Sequence, residues 1–445
     1  MSQTQPASAE PRDPQRSPEQ QRHLRRVLLS SYLGSTVEYY DFLVYGTAAS
    51  LVFGRLFFTD QSPLVGTIAA FGTLAAGYLA RPVGGMIFGH FGDRVGRKQM
   101  LIITMMLMGV SSTLIGLLPT QQQIGVAAPV LLVVLRLVQG VALGGECGGA
   151  TLMALEHSPS RRRGWSVGIV NAGGPSGAVL AALVMGAFSL LPEGQFLSWG
   201  WRVPFLISAV LVGVALWIRI GVYESPIFRS AVHRQTPEDQ RFPLVEVLRR
   251  PGAVVLSAAS GIAPTAVQSL LATFALTFAV LHGTGRSTAL FAAALASVVN
   301  VVMVPLFGAL SDRVGRRPVL LGGLLAGAAL VHPALSMIGS GDTAQVFGGY
   351  VIGYGLIVAA LMGTLSSFIS EQFSTTSRYT GSSLGYQLAA TLGAGFAPLV
   401  AAHLLAGPGD GADVWPVSVF VVVLCVVSAV AVLCTRELSR ADISH

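Results

Sequence analysis

Ionisable residues within an apolar run are the first candidates for chemistry in this sequence. The run that begins at Val27 contains Glu38 and Asp41, which are three residues apart and therefore share one face of a helix. Tyr45 lies on that face one turn further along the chain. Two carboxyls so close in a medium of low dielectric resist ionising together. Because proton coupling requires a carboxyl that can be neutral or ionised near physiological pH, we predict proton coupling at Asp41 and Glu38.

Arg136 is the predicted counter-charge for this carboxyl pair. At about 1.5 Å of rise per residue, Asp41 lies roughly 21 Å from the start of its span, and Arg136 lies about 15 Å from the opposite start of the fourth span. Both side chains are therefore expected at mid-depth. We predict that Arg136 neutralises the pair or binds a substrate carboxylate, with Gln139 and Tyr45 beside it. This interpretation requires Asp41 to face a central cavity and not lipid.

The composition places the chain in a membrane. Its 445 residues are 52% apolar and 11% charged, whereas soluble domains carry about 25% charged residues. The net charge of +7 comes from 27 arginines and one lysine that lie mostly in short loops between apolar runs. This arrangement indicates membrane topology and not a nucleic-acid-binding surface.

Twelve apolar runs are long enough to span a bilayer, which takes roughly 20 residues in a helix. The sequence thus predicts an all-α membrane protein with two six-helix bundles, 27–221 and 251–436. A disordered tail (1–26), a polar linker (222–250) and a C-terminal segment (437–445) lie outside the bundles. The predicted spans begin near Val27, Leu64, Met100, Val126, Trp165, Trp201, Gly252, Ser287, Val319, Ala344, Tyr379 and Trp415.

Arginine and lysine placement predicts the orientation of the chain. Alternating the spans puts 23 of these residues on one side and three on the other. Positive residues concentrate in cytoplasmic loops. We therefore expect both termini, and the linker, in the cytoplasm of a multi-pass protein of the plasma (inner) membrane.

A loop motif occurs once in each half. Gly89-His-Phe-Gly-Asp-Arg-Val-Gly-Arg-Lys98 recurs as Gly308-Ala-Leu-Ser-Asp-Arg-Val-Gly-Arg-Arg317, between the second and third spans of each half. Parallel repeats are typical of two-bundle transporters. Charge-assisted bonds at these helix ends are predicted to latch the bundles on the cytoplasmic side, and ordinary positive loop charge is the alternative. The predicted gating residues are Asp93, Arg94, Arg97, Asp312, Arg313 and Arg316, together with Arg81 and Glu146, which could pair with each other or remain a fixed structural ion pair.

These motifs resemble the major facilitator superfamily, and in particular its metabolite:H⁺ symporter family. Four further stretches carry this resemblance: Glu38-Tyr-Tyr-Asp-Phe42, Arg81-Pro-Val-Gly-Gly85, Arg136-Leu-Val-Gln-Gly140 and Ser198-Trp-Gly-Trp-Arg-Val-Pro-Phe205. The resemblance is nearest to the shikimate transporter branch, through Gly194-Gln-Phe-Leu-Ser-Trp-Gly-Trp201 and Ser377-Arg-Tyr-Thr-Gly381 with Gly385-Tyr-Gln387. The resemblance implies twelve helices, alternating access and proton-driven uptake of a small metabolite. Substrates of the family include shikimate, other organic acids and zwitterionic osmolytes.

The C-terminal half carries no acidic residue at mid-depth, so proton chemistry is expected in the N-terminal bundle. Polar residues within the spans are candidates for contact with substrate. Each of them is also able to serve as a hydrogen bond in helix packing. The candidates are Asn171, Gln268, Asn300, Tyr350, Tyr354, Tyr386 and Gln387.

The sequence as a whole predicts a proton-coupled symporter that imports a small carboxylate such as shikimate. Import of a proline- or betaine-like zwitterion, proton-driven efflux and proton-independent facilitation stay open as alternatives. Lys98 is not preceded by glycine, so there is no Walker A loop, and no His-Glu-x-x-His motif occurs. We therefore expect no enzyme activity, no cofactor apart from the coupling proton, and a monomer that functions with substrate, protons and lipid.

Overall fold

The structure is a computed structural model that describes residues 18–95, 97–144, 163–220, 251–373, 378–406, 413–435 and 437. These residues form helices and connecting turns. We number the twelve long helical units α1 to α12. Each predicted span coincides with one of them, which confirms the twelve-helix prediction. The predicted linker (222–250), most of the tail and Glu146 lie outside the described residues.

The N-terminal half contains six of these units. The bounds are α1 (Pro18–Ala48, continued by a π-helical turn, Ala49–Phe53, and by Gly54–Phe57), α2 (Pro63–Val95), α3 (Arg97–Leu117), α4 (Ala127–Gly144), α5 (Arg163–Asn171 and Gly173–Ser189) and α6 (Glu193–Gln195, the π-helical turn Phe196–Gly200 and Arg202–Ile220). A short helix, Gln121–Ile124, precedes α4.

The C-terminal half repeats this arrangement. The bounds are α7 (Pro251–Ser269, Leu270–Phe274 and Ala275–Leu281), α8 (Arg286–Val314), α9 (Arg316–Ile338), α10 (Thr343–Tyr350, Val351–Ile357 and Val358–Glu371), α11 (Arg378–Ala390, Thr391–Gly395 and Ala397–Leu405) and α12 (Trp415–Cys434).

Helix α1 starts earlier than the sequence pattern predicted. The tail was expected to stay disordered through residue 26, whereas the helix begins at Pro18. The segment Pro18–Arg26 is rich in glutamine, arginine and other helix formers, and proline is favoured in the first turn of a helix. Local propensity therefore extends the helix beyond the apolar run.

Ten units, all except α1 and α3, are long and apolar enough to cross a bilayer by length and composition. Helix α1 carries charged residues along its length, and the apolar part of α3, Ile102–Leu117, is shorter. Large apolar side chains such as Trp217, Leu325 and Val430 are exposed on the outer surface. A lipid environment accommodates these side chains, since its hydrocarbon core covers them.

Close approach of helix backbones holds the N-terminal bundle together. A Cβ atom at Gly140 of α4 would overlap the carbonyl oxygen of Gly77 in α2, and one at Gly144 would overlap that of Arg81. Small residues at such crossings permit backbone contact in membrane helices. The α2–α4 crossing thereby fixes the position of Arg136 relative to the first helix.

Candidate functional site

Asp41 lies inside the N-terminal bundle. Its side chain is 1% exposed, and neither carboxylate oxygen makes a hydrogen bond of ordinary length and angle to a described residue, although the hydroxyls of Ser112 and Ser208 lie near it. The residue faces a cavity that only α1 to α4 line. We call this space the N-bundle cavity: its lining residues are Asp41, Phe42, Gly77, Arg81, Met108, Arg136, Gln139, Gly140 and Leu143.

Arg136 enters the same cavity from α4. Its Nη1 donates to Gln139 Oε1 at 2.9 Å, and Gln139 Nε2 donates to Ser112 Oγ at 2.5 Å. The guanidinium also stacks on two rings of α1, with its Cζ 4.1 Å from the centroid of Tyr45 and 4.5 Å from that of Phe42. These contacts hold the charged group at a fixed depth in the bundle.

The predicted meeting of Asp41 and Arg136 is therefore realised as a shared cavity without a direct ion pair. Arg136 Nε and Nη2, like both oxygens of Asp41, have no hydrogen-bond partner in the described part of the chain. A buried carboxyl without partners is held less firmly in its ionised form than one in an ion pair. The geometry suits a group that changes its protonation state during a transport cycle.

Arg81 is a third charged group on this cavity. Its side chain is buried, and its Cζ lies 4.1 Å from the ring centroid of Tyr78 and 4.7 Å from that of Phe42. Sequence reasoning placed Arg81 with the gate on the cytoplasmic side. The structure places it on the cavity that contains Asp41. Its predicted pairing with Glu146 lies outside the described residues.

Two other residues of α1 were predicted to act with Asp41. The hydroxyl of Tyr45 lies 2.6 Å from Thr73 Oγ1, and its ring is covered by Arg136, so Tyr45 orients the cation and does not line the N-bundle cavity. Glu38 is half-buried and is not among the residues that line the cavity. The structure thus brings Asp41, Arg136 and Gln139 together around one space and leaves Glu38 beside it.

A second cavity lies between the two bundles, and we call it the inter-bundle cavity. It is lined by α1, α5, α7, α8 and α10. Thr47, Ser297 and Tyr354 are its polar side chains. The other lining residues are Leu43, Ala178, Ala181, Ala182, Leu271, Ala272, Leu276, Leu290 and Ala293.

The two cavities correct one expectation. Asp41 was expected to face a central cavity, and it faces the interior of its own bundle instead. The reason is the helical period of α1, which turns Asp41 and Phe42 toward α2 to α4 while Leu43 and Thr47 face the inter-bundle cavity. No residue lines both spaces. Helix α1 is therefore the wall between them. The condition set for proton coupling at Asp41 is thus not met in this arrangement, and any coupling to a substrate between the bundles must act through α1.

Among the polar candidates of the C-terminal half, Tyr354 lines the inter-bundle cavity. Asn300 Nδ2 donates to the backbone oxygen of Tyr354 at 2.5 Å and so fixes the backbone of α10 there. Tyr350 and Gln387 are buried with polar atoms that have no partner in the described structure. Gln268 and Tyr386 are half-buried and do not line either of these two cavities.

Asn171 joins the two bundles directly. Its Nδ2 lies 3.2 Å from Ser366 Oγ and 3.5 Å from the carbonyl oxygen of Met362, both in α10. The residue was predicted to contact substrate. In the structure it contacts the opposite bundle, on the side of the molecule where α5 begins.

The second copy of the loop motif forms a buried network at the end of the molecule that carries the arginine-rich loops. Asp312 accepts hydrogen bonds from the backbone N–H groups of Gly164 at 2.9 Å and Trp165 at 3.0 Å. Arg316 binds Asp312 at 2.9 Å and Glu371 at 3.2 Å. The carboxylate of α8 thus caps α5 of the other bundle, as anions do at helix N-termini.

Some members of this network escaped sequence reasoning. The contact between Asp312 and the start of α5 was not predicted, because α5 contributes two backbone N–H groups and these do not depend on residue type. Glu371, the second partner of Arg316, was not among the predicted gating residues. Arg313, a predicted gating residue, is exposed. The side chains of Asp93, Arg94 and Arg97, in the first motif copy, lie outside the described residues.

The opposite end has its own contact between the bundles. Glu193, the first residue of α6, forms an ion pair with Arg55 and lies 4.0 Å from Arg286 at the start of α8. Arg286 Cζ also lies 4.7 Å from the ring centroid of Phe196. Sequence analysis missed this cluster because its members are single residues in separate short loops.

Comparison with known proteins agrees with this architecture. The family model described as Major Facilitator Superfamily matches residues 32–398. The chain belongs to the major facilitator superfamily. It is 38% identical over 426 residues to the shikimate transporter of Escherichia coli (strain K12), covering 94% of this chain and 95% of that protein.

More distant relatives extend the comparison. The proline/betaine transporter of Salmonella typhimurium (strain LT2) is 33% identical over 399 residues, which cover 87% of this chain and 79% of the relative. A crystal structure of a D-xylose-proton symporter superposes with a TM-score of 0.70 at 18% identity, covering 91% of this chain and 97% of that one. The fold is shared, and the chain is a multi-pass membrane transporter and not an enzyme.

Proposed function

We propose that this chain is a proton-coupled symporter that imports a small organic acid of the shikimate class across the inner membrane. The observation that carries the proposal is Asp41, a buried carboxyl without a hydrogen-bond partner that shares a cavity with Arg136. Ionisable groups are expensive within a membrane and are usually functional. The residue is the coupling site in this account.

Helix α1 provides the link between proton and substrate. One side of it presents Asp41 to the N-bundle cavity, and the other presents Thr47 to the inter-bundle cavity. Further along the helix, Ser50 Oγ donates to the backbone oxygen of Thr273 in α7 at 2.8 Å. An ionised Asp41 attracts Arg136 and a neutral one does not, so the protonation state biases the position of a helix that borders the substrate and contacts the other bundle.

The two ends of the molecule supply the gates. At the arginine-rich end, Asp312 binds the start of α5, and at the opposite end the Arg55–Glu193–Arg286 cluster joins the bundles. Opening toward either side requires the contact on that side to break. We propose that the arginine-rich end is cytoplasmic, with both termini there, because 23 of the 28 lysines and arginines fall on that side in the span assignment.

The inter-bundle cavity is the proposed substrate site. Its alanines and leucines suit a carbon ring, and the hydroxyls of Thr47, Ser297 and Tyr354 suit the hydroxyl groups of such a ring. Similarity to a shikimate transporter supports the same class. We propose that the carboxylate pairs with Arg136 once α1 moves, because that guanidinium retains two nitrogen atoms without an acceptor.

A zwitterionic osmolyte is the second candidate substrate. Similarity to a proline/betaine transporter favours it. The two candidates differ in net charge. A zwitterion brings its own cation, so replacing Arg136 by glutamine is expected to weaken its uptake less than that of an anion.

Uptake into proteoliposomes tests the proposal. The full chain is reconstituted, a pH gradient is imposed, and accumulation of labelled shikimate, another organic acid, proline and betaine is followed with and without an uncoupler. We expect shikimate or a related acid to accumulate above equilibrium only with the gradient. Uptake that ignores the gradient would contradict symport, and gradient-driven loss of preloaded substrate would establish efflux.

A further inference from the structure

Two guanidinium groups occupy the N-bundle cavity. Arg81 and Arg136 both line it, both are buried, and both stack on the ring of Phe42. Tyr78 covers Arg81 and Tyr45 covers Arg136 in the same way. The aromatic rings thus satisfy the faces of the two cations.

The edges of the guanidinium groups are less well satisfied. Arg81 Nε and the Nε and Nη2 atoms of Arg136 are buried without a hydrogen-bond acceptor within the described ranges. Stacked rings do not accept hydrogen bonds in the guanidinium plane. A buried donor left without an acceptor costs about 1–3 kcal/mol. No described residue accepts a hydrogen bond from these donors, and the carboxylate of Asp41, which lines the same cavity, makes none to them.

The charge balance of the cavity also favours a bound acceptor, and one that carries negative charge. The described lining residues include two arginines and one aspartate, so their summed charge is +1 when Asp41 is ionised and +2 when it is neutral. Buried charge without compensation is costly. We propose that the N-bundle cavity binds a small monovalent anion, held by Arg81 and Arg136.

The lining residues limit what this anion can be. Besides the charged groups and Gln139, they are Phe42, two glycines and two apolar side chains, Met108 and Leu143. Guanidinium edges bind halides and carboxylate groups alike. The occupant is therefore a halide-sized ion or the carboxylate of a small ligand. In this arrangement of the helices the site is separate from the inter-bundle cavity, although the proposed function assigns Arg136 to the substrate carboxylate once α1 moves.

Variants of the acidic and the basic lining residues are expected to change anion affinity in opposite directions. Asp41→Asn removes a negative charge that repels the anion at close range, so anion affinity is expected to increase about tenfold or more. Arg81→Gln and Arg136→Gln each remove donors and one positive charge, so saturable binding is expected to disappear. Arg55→Gln is the control, since Arg55 is exposed at the end of the molecule and outside the cavity.

Thermal unfolding of the purified full chain in detergent tests the site without any transport assay. Gluconate, which is too large for the site, is replaced stepwise by chloride or by formate at constant ionic strength. We expect a saturable rise in melting temperature for the wild-type chain and Arg55→Gln, tighter for Asp41→Asn and absent for Arg81→Gln. Tighter binding of chloride identifies an inorganic ion, and tighter binding of formate identifies a carboxylate group.

Two results would overturn the proposal. One is a melting temperature that is the same in gluconate, chloride and formate. The other is a chloride effect that persists unchanged in both Arg81→Gln and Arg136→Gln. If an arginine variant fails to fold, bromide soaked into crystals of the wild-type chain provides an independent test, since its anomalous signal is expected beside Arg136. Absence of transport in the liposome assay would leave this inference intact.

Discussion

Two aspartates, one in each half of the molecule, have little-exposed side chains but very different hydrogen-bond partners. Asp41 is 1% exposed and has no hydrogen-bond partner among the described residues. The side chain of Asp312 is 7% exposed, accepts two backbone N–H groups and binds Arg316. Both carboxylates lose their water on folding. Of the two, only Asp312 gains protein hydrogen bonds in its place.

We propose that this difference separates a structural charge, Asp312, from a functional one, Asp41. Asp312 is saturated by fixed partners at the end of a helix, so its ionised form is built into one closed arrangement of the bundles. Burying the ionised carboxylate of Asp41 costs free energy that no hydrogen bond to a described residue offsets. An ionisable side chain that is costly to bury at mid-membrane is expected to change its protonation state, because a permanently ionised form would require a permanent partner.

The largest expected effect is a contrast in stability between the two aspartates. Asp312→Asn removes charge-assisted bonds from the start of α5 and from Arg316, so we expect it to lower the unfolding free energy by about 2–4 kcal/mol. Asp41→Asn removes only a carboxylate without partners and is expected to leave stability unchanged or raise it. Thermal unfolding in detergent measures both. Equal losses would contradict the contrast.

A glycine pair on α2 sharpens the comparison at the N-bundle cavity. A Cβ atom at Gly77 would lie 2.5 Å from Arg136 Nε, whereas one at Gly72 meets nothing within 4 Å. Gly77→Ala is expected to displace the guanidinium and reduce gradient-driven uptake at least about tenfold, since a displacement near 1 Å has effects of that size or larger. Gly72→Ala should transport normally. Normal uptake by Gly77→Ala would show that the position of Arg136 does not matter.

The smallest effect is expected at the end opposite the arginine-rich loops. Arg55 and Glu193 are both more than half exposed, and exposed ion pairs contribute about 0–1 kcal/mol. Arg55→Gln should therefore change the melting temperature little in comparison with Asp312→Asn. A loss as large as that of Asp312→Asn would mean that this exposed cluster, and not the buried network, holds the bundles together.

The sequence predicted the helices, whereas the surroundings of its candidate residues are known only from the structure. The twelve spans follow from apolar length, and the meeting of Asp41 and Arg136 follows from their similar depth. Depth does not tell which way a helix is rotated, so the placement of Asp41 inside one bundle could not be derived. The partner of Asp312 was also beyond sequence reasoning, because it is the backbone of α5.

The most direct test compares two activities of Asp41→Asn in proteoliposomes. Exchange of labelled for unlabelled substrate needs the gates but no net proton movement, whereas accumulation driven by a pH gradient needs the proton site. We predict that Asp41→Asn retains exchange and loses accumulation, while Asp342→Asn, at the exposed start of α10, retains both. Accumulation by Asp41→Asn at the wild-type level would place proton coupling elsewhere in the chain and contradict the account.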